Sequence, residues 1–246
     1  MRYRLYSIVL SAALVCGSLL LSLERWTAAE LKGFSYVVSG NTVQICSYTG
    51  DAEIVSIPDT IDEKTVTEIL PRAFYENPHI RSVELPFHLR RIGEYAFYNC
   101  AQLERITLPD SLVEIGQYAF SQCGMLSCVT IPKKVSVIRE GAFSGMNSLQ
   151  KAVIYANCRI GEAVFADCPV LQSVSFLGII HEIEREAFFN DPMLKSVNLP
   201  ASVSAIGERA FGYVCGQTIG TYTKAVNFVL LSESAQVHRY VEENGF

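Results

Sequence analysis

A phenylalanine returns at near-constant intervals through the middle of this chain, at Phe74, Phe97, Phe120, Phe143, Phe165, Phe188 and Phe211. Five of the six spacings are 23 residues and one is 22. A fixed period of this length marks a solenoid, in which each coil packs only on its neighbours. Function is constrained with fold, because such a stack offers long ordered faces instead of one deep pocket.

The repeat carries further fixed positions. Five residues before each Phe stands Ile69, Ile92, Ile115, Ile138, Ile160, Ile183 or Ile206, and the residue just before the Phe is small. Six residues after it comes an Ile or Leu, from Ile80 to Leu194, and eleven after it an apolar residue usually followed by Pro86, Pro109, Pro132 or Pro200. Segments such as Ile106-Thr107-Leu108-Pro109 alternate with period two and predict short strands ended by proline. The stretch from Ala119-Phe120 to Leu126 has spacings of three to four and predicts a helical or 3₁₀ turn. One coil cannot bury its own Ile, Phe and Leu; coils stacked about 4.8 Å apart can, by pairing strands in parallel and sharing ladders of side chains.

Leu103-Glu104-Arg105-Ile106-Thr107-Leu108-Pro109 and Ile115-Gly116-Gln117-Tyr118-Ala119-Phe120-Ser121-Gln122-Cys123 resemble the treponemal-type repeat of the BspA-like leucine-rich repeat proteins of bacterial surfaces. The resemblance runs over residues 34–246. It implies an α/β repeat solenoid: a right-handed stack of about 23-residue coils with parallel strands, an N-terminal β-hairpin cap and a C-terminal strand-helix cap. It also implies an exposed binding or adhesion protein, without naming a ligand. The chain departs from the pattern where Arg139 and Glu184 replace glycine, and where the shortened fifth copy has Tyr155 in place of proline.

The ends read as caps. Residues 30–58 form the N-terminal cap, where Phe34 to Ile57 alternate, with turn signals at Gly40-Asn41 and Gly50-Asp51, and predict a hairpin; residues 59–217 form the solenoid; residues 218–246 supply a last strand near 226–231 and a helix over 235–244 closed by Gly245. Residues 1–29 have Arg2 and Arg4, an apolar run from Leu5 to Leu23 and Thr27-Ala28-Ala29, the layout of a signal peptide. The long run leaves an uncleaved anchor as the alternative. Either way the chain is expected to be exported, to the cell surface, the periplasm or the medium.

Net charge is only −5 and no basic run appears in the sequence, which argues against nucleic acid. Membrane contact is expected only through an uncleaved N-terminal segment. Cys100, Cys123 and Cys168 each follow a repeat Phe by three residues, and Cys158 replaces a repeat apolar residue, so all four are assigned to the interior. Cys46, Cys128 and Cys215 have no such role, and loss of Cys16 with a leader leaves an odd number of thiols. No C-x-x-C occurs, the four histidines have no ligand spacing with the cysteines, and nucleophile-elbow, zincin and phosphate-loop motifs are missing. No cofactor, no metal and no enzymatic activity are expected. Glu182, Glu184 and Glu186 read as a solvated turn, and Gly93, Gly116, Gly161 and Gly207 as backbone bends.

Surface is what remains for function. The two-residue strand period turns Ser82 and Glu84, Arg105 and Thr107, Cys128 and Thr130, Lys151 and Val153, Ser173 and Ser175, Ser196 and Asn198 outward. Glu84, Arg105, Thr107, Thr130, Lys151, Ser173, Ser175 and Asn198 therefore form one candidate binding face. Tyr75 with Tyr98 and Tyr95 with Tyr118 share repeat positions and form a second candidate, two tyrosine rows. These features fit a non-enzymatic binding or adhesion module for a protein or glycan of host or envelope; a structural component of the cell envelope is the alternative.

Overall fold

The computed structural model describes residues 29–31, 33–218 and 220–246. All of the expected leader but its last residue, Ala29, lies outside the described residues. Among those described, no helix is long and apolar enough to cross a membrane.

The solenoid is held by two strand ladders. One, absent from the sequence reading, is built on the isoleucines five residues before each Phe. It begins with β1 (Ala29–Leu31), β2 (Phe34–Ser39) and β3 (Thr42–Tyr48), paired antiparallel as the hairpin cap. The other ladder opens with β4 (Ile54–Ser56), and the short β5 (Thr60–Ile61) folds back on β6 (Lys64–Ile69). Each later coil then contributes one strand to each ladder: β7 (Ser82–Glu84) and β8 (Arg91–Ile92), β9 (Arg105–Ile106) and β10 (Glu114–Ile115), β11 (Cys128–Ile131) and β12 (Val137–Ile138). The last coils add β13 (Lys151–Ile154) and β14 (Cys158–Ile160), β15 (Ser173–Phe176) and β16 (Ile180–Ile183), and β17 (Ser196–Asn198) and β18 (Ala205–Ile206).

Strands β3, β6, β8, β10, β12, β14, β16 and β18 pair in parallel without a break, placing Ile69, Ile92, Ile115, Ile138, Ile160, Ile183 and Ile206 side by side. The ladder of β7 and β9 is the one the apolar-x-apolar-Pro pattern predicted. It is broken once: β4, β7 and β9 pair together, β11, β13, β15 and β17 pair together, and β9 does not pair with β11.

The seven phenylalanines stack between the ladders. Successive ring centroids are 4.7 to 5.4 Å apart with planes within 14°, and every ring is buried. The backbone carrying them is not the expected helical turn. Tyr95, Phe97 and Asn99 donate their N–H groups to Gln117, Ala119 and Ser121 of the next coil, while Ala96, Tyr98 and Cys100 bond back three residues within their own. The residues two before and two after the Phe are left-handed, as at Tyr95 (φ 53°), Asn99 (φ 52°), Tyr118 (φ 50°) and Gln122 (φ 62°). That conformation costs a non-glycine residue roughly 1–2 kcal/mol. The bonds between coils offset the cost, since otherwise these N–H groups would be buried without partners.

The repeat glycines serve packing instead of a bend. A Cβ on Gly93 would lie 2.5 Å from the Pro71 nitrogen, and one on Gly116 would lie 2.6 Å from the Gly93 carbonyl carbon. Neither residue is left-handed. Backbone rests on backbone here from coil to coil, and a side chain would separate them. The acidic run is also more than a solvated turn: Glu182 and Glu184 pair with Arg159, and Glu186 with Arg185 and Arg209, alongside the Arg139–Glu114 and Arg81–Glu104 pairs that join neighbouring coils.

A second hairpin, β19 (Tyr213–Cys215) with β20 (Tyr222–Lys224), leads to the last strand β21 (Val229–Leu231), which pairs with β17. Helix α1 (Ala235–Asn244) follows over the residues predicted for it, with the Ser234 hydroxyl accepting from the Gln236 N–H and left-handed Gly245 (φ 63°) ending it. Val237 and Tyr240 face the last coil, and the Tyr240 hydroxyl bonds the backbone of Phe211. The final aromatic ring is thereby covered.

Candidate binding surface

Proline and the two-residue period set the side chains of the broken ladder. Glu84, Arg105, Thr107, Thr130, Lys151 and Asn198 are exposed, and Ser173 and Ser175 are half-buried. Parallel register places Cys128, Lys151 and Ser173 in one column and Thr130, Val153, Ser175 and Asn198 in the next.

The break between β9 and β11 changes this face locally. A groove of about 730 Å³ opens there, with Arg105 and Thr107 on one side, Cys128 and Thr130 on the other, and Lys133 and Tyr155 at its rim. Ile106 is only partly covered at this point, whereas its equivalents Val83, Val129, Ala152 and Val174 are buried; Leu108 is partly covered, as are its equivalents Leu85 and Phe176. The groove thus combines apolar floor, polar rim and both signs of charge, since Glu104 and Asp110 also line it. Lys151 lies one strand further on, and Glu84, Ser173, Ser175 and Asn198 lie along the same face outside the groove. Tyr155, Lys133 and the floor residues were not among the sequence candidates; the one signal was Tyr155, standing where other copies have proline.

The tyrosine rows merge into one cluster. Tyr75 stacks on Tyr98 at 5.2 Å and Tyr95 on Tyr118 at 5.3 Å, while Tyr95 meets Tyr98 edge-on at 5.4 Å. The Arg72 guanidinium sits 5.4 Å and 5.5 Å from the Tyr75 and Tyr95 rings. Tyr118 donates its hydroxyl to the Glu140 carboxylate; that bond, with burial adding to it, holds the phenol well above its ordinary range. The row ends because Gly141 leaves room for the Tyr118 ring: a Cβ there would lie 2.1 Å from it. These rings already satisfy one another, which leaves less free ring face than four exposed tyrosines would offer.

Cys100, Cys123 and Cys168 are interior as expected, each donating its thiol to the carbonyl of Phe74, Phe97 or Phe143 in a preceding coil. Burial pushes the thiols of Cys100 and Cys158 up to about 12 and those of Cys123 and Cys168 well above their ordinary value. Cys128 and Cys215 are exposed, and burial followed by the Asp167 charge raises Cys215. Thiol labelling of the native chain should therefore modify Cys128 first and Cys215 more slowly. The four interior cysteines should react only in denaturant, and mass spectrometry of the labelled peptides reads the order directly. Among the described residues no disulfide forms, and no three His, Cys, Asp or Glu side chains gather to hold a metal ion.

Paired strand ladders around a column of stacked rings, capped at both ends and open along their faces, define the class: a leucine-rich repeat solenoid. The chain belongs to the BspA type leucine rich repeat family, whose model matches in six copies over residues 67–195 and 158–227. No curated protein matches it. Among solved structures it is similar to a leucine rich cell surface protein of Faecalibacterium prausnitzii, with 26% identity and a TM-score of 0.70 over 85% of this chain; it spans about half, 55%, of that protein. The T. pallidum leucine rich repeat protein has the same fold at 23% identity and a TM-score of 0.54, covering 89% of this chain and 97% of its own. The pneumococcal vaccine antigen PcpA does so at 17% identity and 0.51, covering 91% of this chain and 46% of its own.

Proposed function

We propose that this chain is an exported, non-enzymatic interaction module displayed outside the cytoplasm, and that it binds a protein partner at the groove between β9 and β11. The observation that carries this reading is the break in an otherwise continuous ladder. It leaves Ile106 partly uncovered, beside the partly covered Leu108, inside a polar rim, the combination of apolar centre and wet border found at protein interfaces. The basic start and apolar run of residues 1–29 support export, and the Faecalibacterium protein is described as a cell surface protein.

Arg105 on β9 and Lys151 on β13, beyond β11, are with Lys133 the longest side chains facing a partner. Reversing both, Arg105→Glu with Lys151→Glu, is expected to weaken capture of the partner by about a hundredfold, as loss of two interface anchors does. The melting temperature should stay within about a degree, because both side chains are solvent-facing. Partners are first recovered by crosslinking on intact cells, and the variant is then compared with wild type by surface plasmon resonance. Binding that survives this double reversal but is lost in Tyr95→Ser with Tyr118→Ser would move the site to the tyrosine cluster.

A further inference from the structure

The unbroken ladder carries a different surface. An open basin of about 420 Å³ lies over its first five coils, and His88, Arg90 and Lys134 supply its cationic and imidazole groups. The repeat builds it: His88, Ser111 and Lys134 each stand two residues after Pro86, Pro109 and Pro132, so stacking sets them in one column. Thr42 pairs with Thr65 at the start of the ladder, and the Arg90 N–H bonds the Thr67 carbonyl, which continues the rows of hydroxyls. His88 and Lys134 are thus two coils, about 10 Å, apart with Ser111 between them.

Charge sets the basin apart. In a chain of net charge −5, no carboxylate lines it. Arg81, Arg139, Arg159, Arg185 and Arg209 all take glutamate partners; Arg90 and Lys134 have no ion-pair partner among the described residues, as is also true of Arg105 and Lys151 on the other face. The Asp59 carboxylate accepts from the Phe87 N–H. Ser111 and Thr42 donate their hydroxyl protons to the Leu89 and Ser39 carbonyls, leaving oxygen lone pairs to accept from a ligand.

We propose that this basin binds an acidic polysaccharide. Arg90, Lys134 and His88 hold its carboxylate or sulfate groups, and Thr42, Thr65, Thr67 and Ser111 bond its sugar hydroxyls. The separation of the cations favours a repeating anion over a single small one, which cannot span two coils. No Phe, Tyr or Trp side chain lines the basin, so it lacks the extended stacking platform that a single-stranded nucleic acid uses. The proposal is independent of the groove between β9 and β11.

The test is titration of the full chain with dextran sulfate, neutral dextran and inorganic sulfate by calorimetry. Dextran sulfate should bind and weaken as salt rises, while neutral dextran should not bind. Arg90→Glu with Lys134→Glu should weaken binding at least about tenfold. Arg90→Gln with Lys134→Gln should weaken it less, and Arg105→Glu with Lys151→Glu should leave it unchanged. Circular dichroism confirms that each variant is folded. Equal binding by wild type and the Arg90/Lys134 variants would overturn the site. Inorganic sulfate or a single-stranded oligonucleotide binding as tightly as dextran sulfate would overturn the polysaccharide assignment.

Discussion

Truncating Phe120 to alanine is expected to cost about 3–5 kcal/mol, a large share of the stability of a domain this size. The ring is fully buried and stacked at 5.2 Å on Phe97 and 5.3 Å on Phe143, so its removal leaves a cavity bounded by two other rings. The stack cannot close over that cavity. The coils are tied on both sides of the ring by the β8–β10–β12 ladder and by the N–H of Phe120 bonded to the Ala142 carbonyl. Because solenoid stability is a sum over neighbours, the Phe97→Ala and Phe120→Ala losses should be non-additive, since the two share a contact, whereas Phe97→Ala and Phe188→Ala should add. Urea denaturation followed by circular dichroism measures both. A cost below about 1 kcal/mol for Phe120→Ala would mean that the aromatic column is not what holds the coils together.

That column was the part of the fold most legible in the sequence, because seven identical residues at one period admit few other readings. The interior cysteines, the outward strand residues, the hairpin cap and the closing helix follow from the same period with ordinary strand and capping rules. The second ladder did not. Ile92, Ile115, Ile138 and Ile206 stand in two-residue strands such as Arg91–Ile92, too short for alternation to show, and they are strands only because neighbouring coils pair with them. The turns misled for a related reason. Spacings of three to four usually mean a helix, but at Tyr95 and Asn99 the left-handed backbone is selected by hydrogen bonds to the next coil, which no local propensity records. The groove depends on one missing strand pairing between otherwise ordinary copies. The basin is written in the sequence only at a distance: His88 and Lys134 come together once two repeat lengths are subtracted, so a search for runs of basic residues passes over them.

The same repeat position that holds Cys100, Cys123 and Cys168 holds Asp191, and there a charge meets the interior. Asp191 is buried; its Oδ1 accepts from the Cys168 N–H at 2.8 Å, and its Oδ2 has no hydrogen-bond partner. Burial drives its carboxyl well above the ordinary range, with the Asp167 charge adding and the Cys168 N–H opposing. The folded chain therefore holds this proton more tightly than the unfolded chain. The stabilisation is complete below about pH 3.9, the unfolded value, and is lost as pH rises towards the folded value. Across that window Asp191 should remove up to about 1.4 kcal/mol of stability per pH unit. Asp191→Asn keeps an acceptor for the Cys168 N–H and carries no charge. It should stabilise the chain at pH 7 relative to Asp191, by up to about 1.4 kcal/mol for each pH unit above about 3.9 over which the folded carboxyl keeps its proton. Comparing the two proteins by urea denaturation from pH 4 to pH 8 isolates this residue from the surface Arg–Glu pairs, which are common to both. The difference between them should be small at pH 4 and widen as pH rises; a constant difference would show that the Asp191 carboxyl binds its proton equally in the folded and unfolded chains.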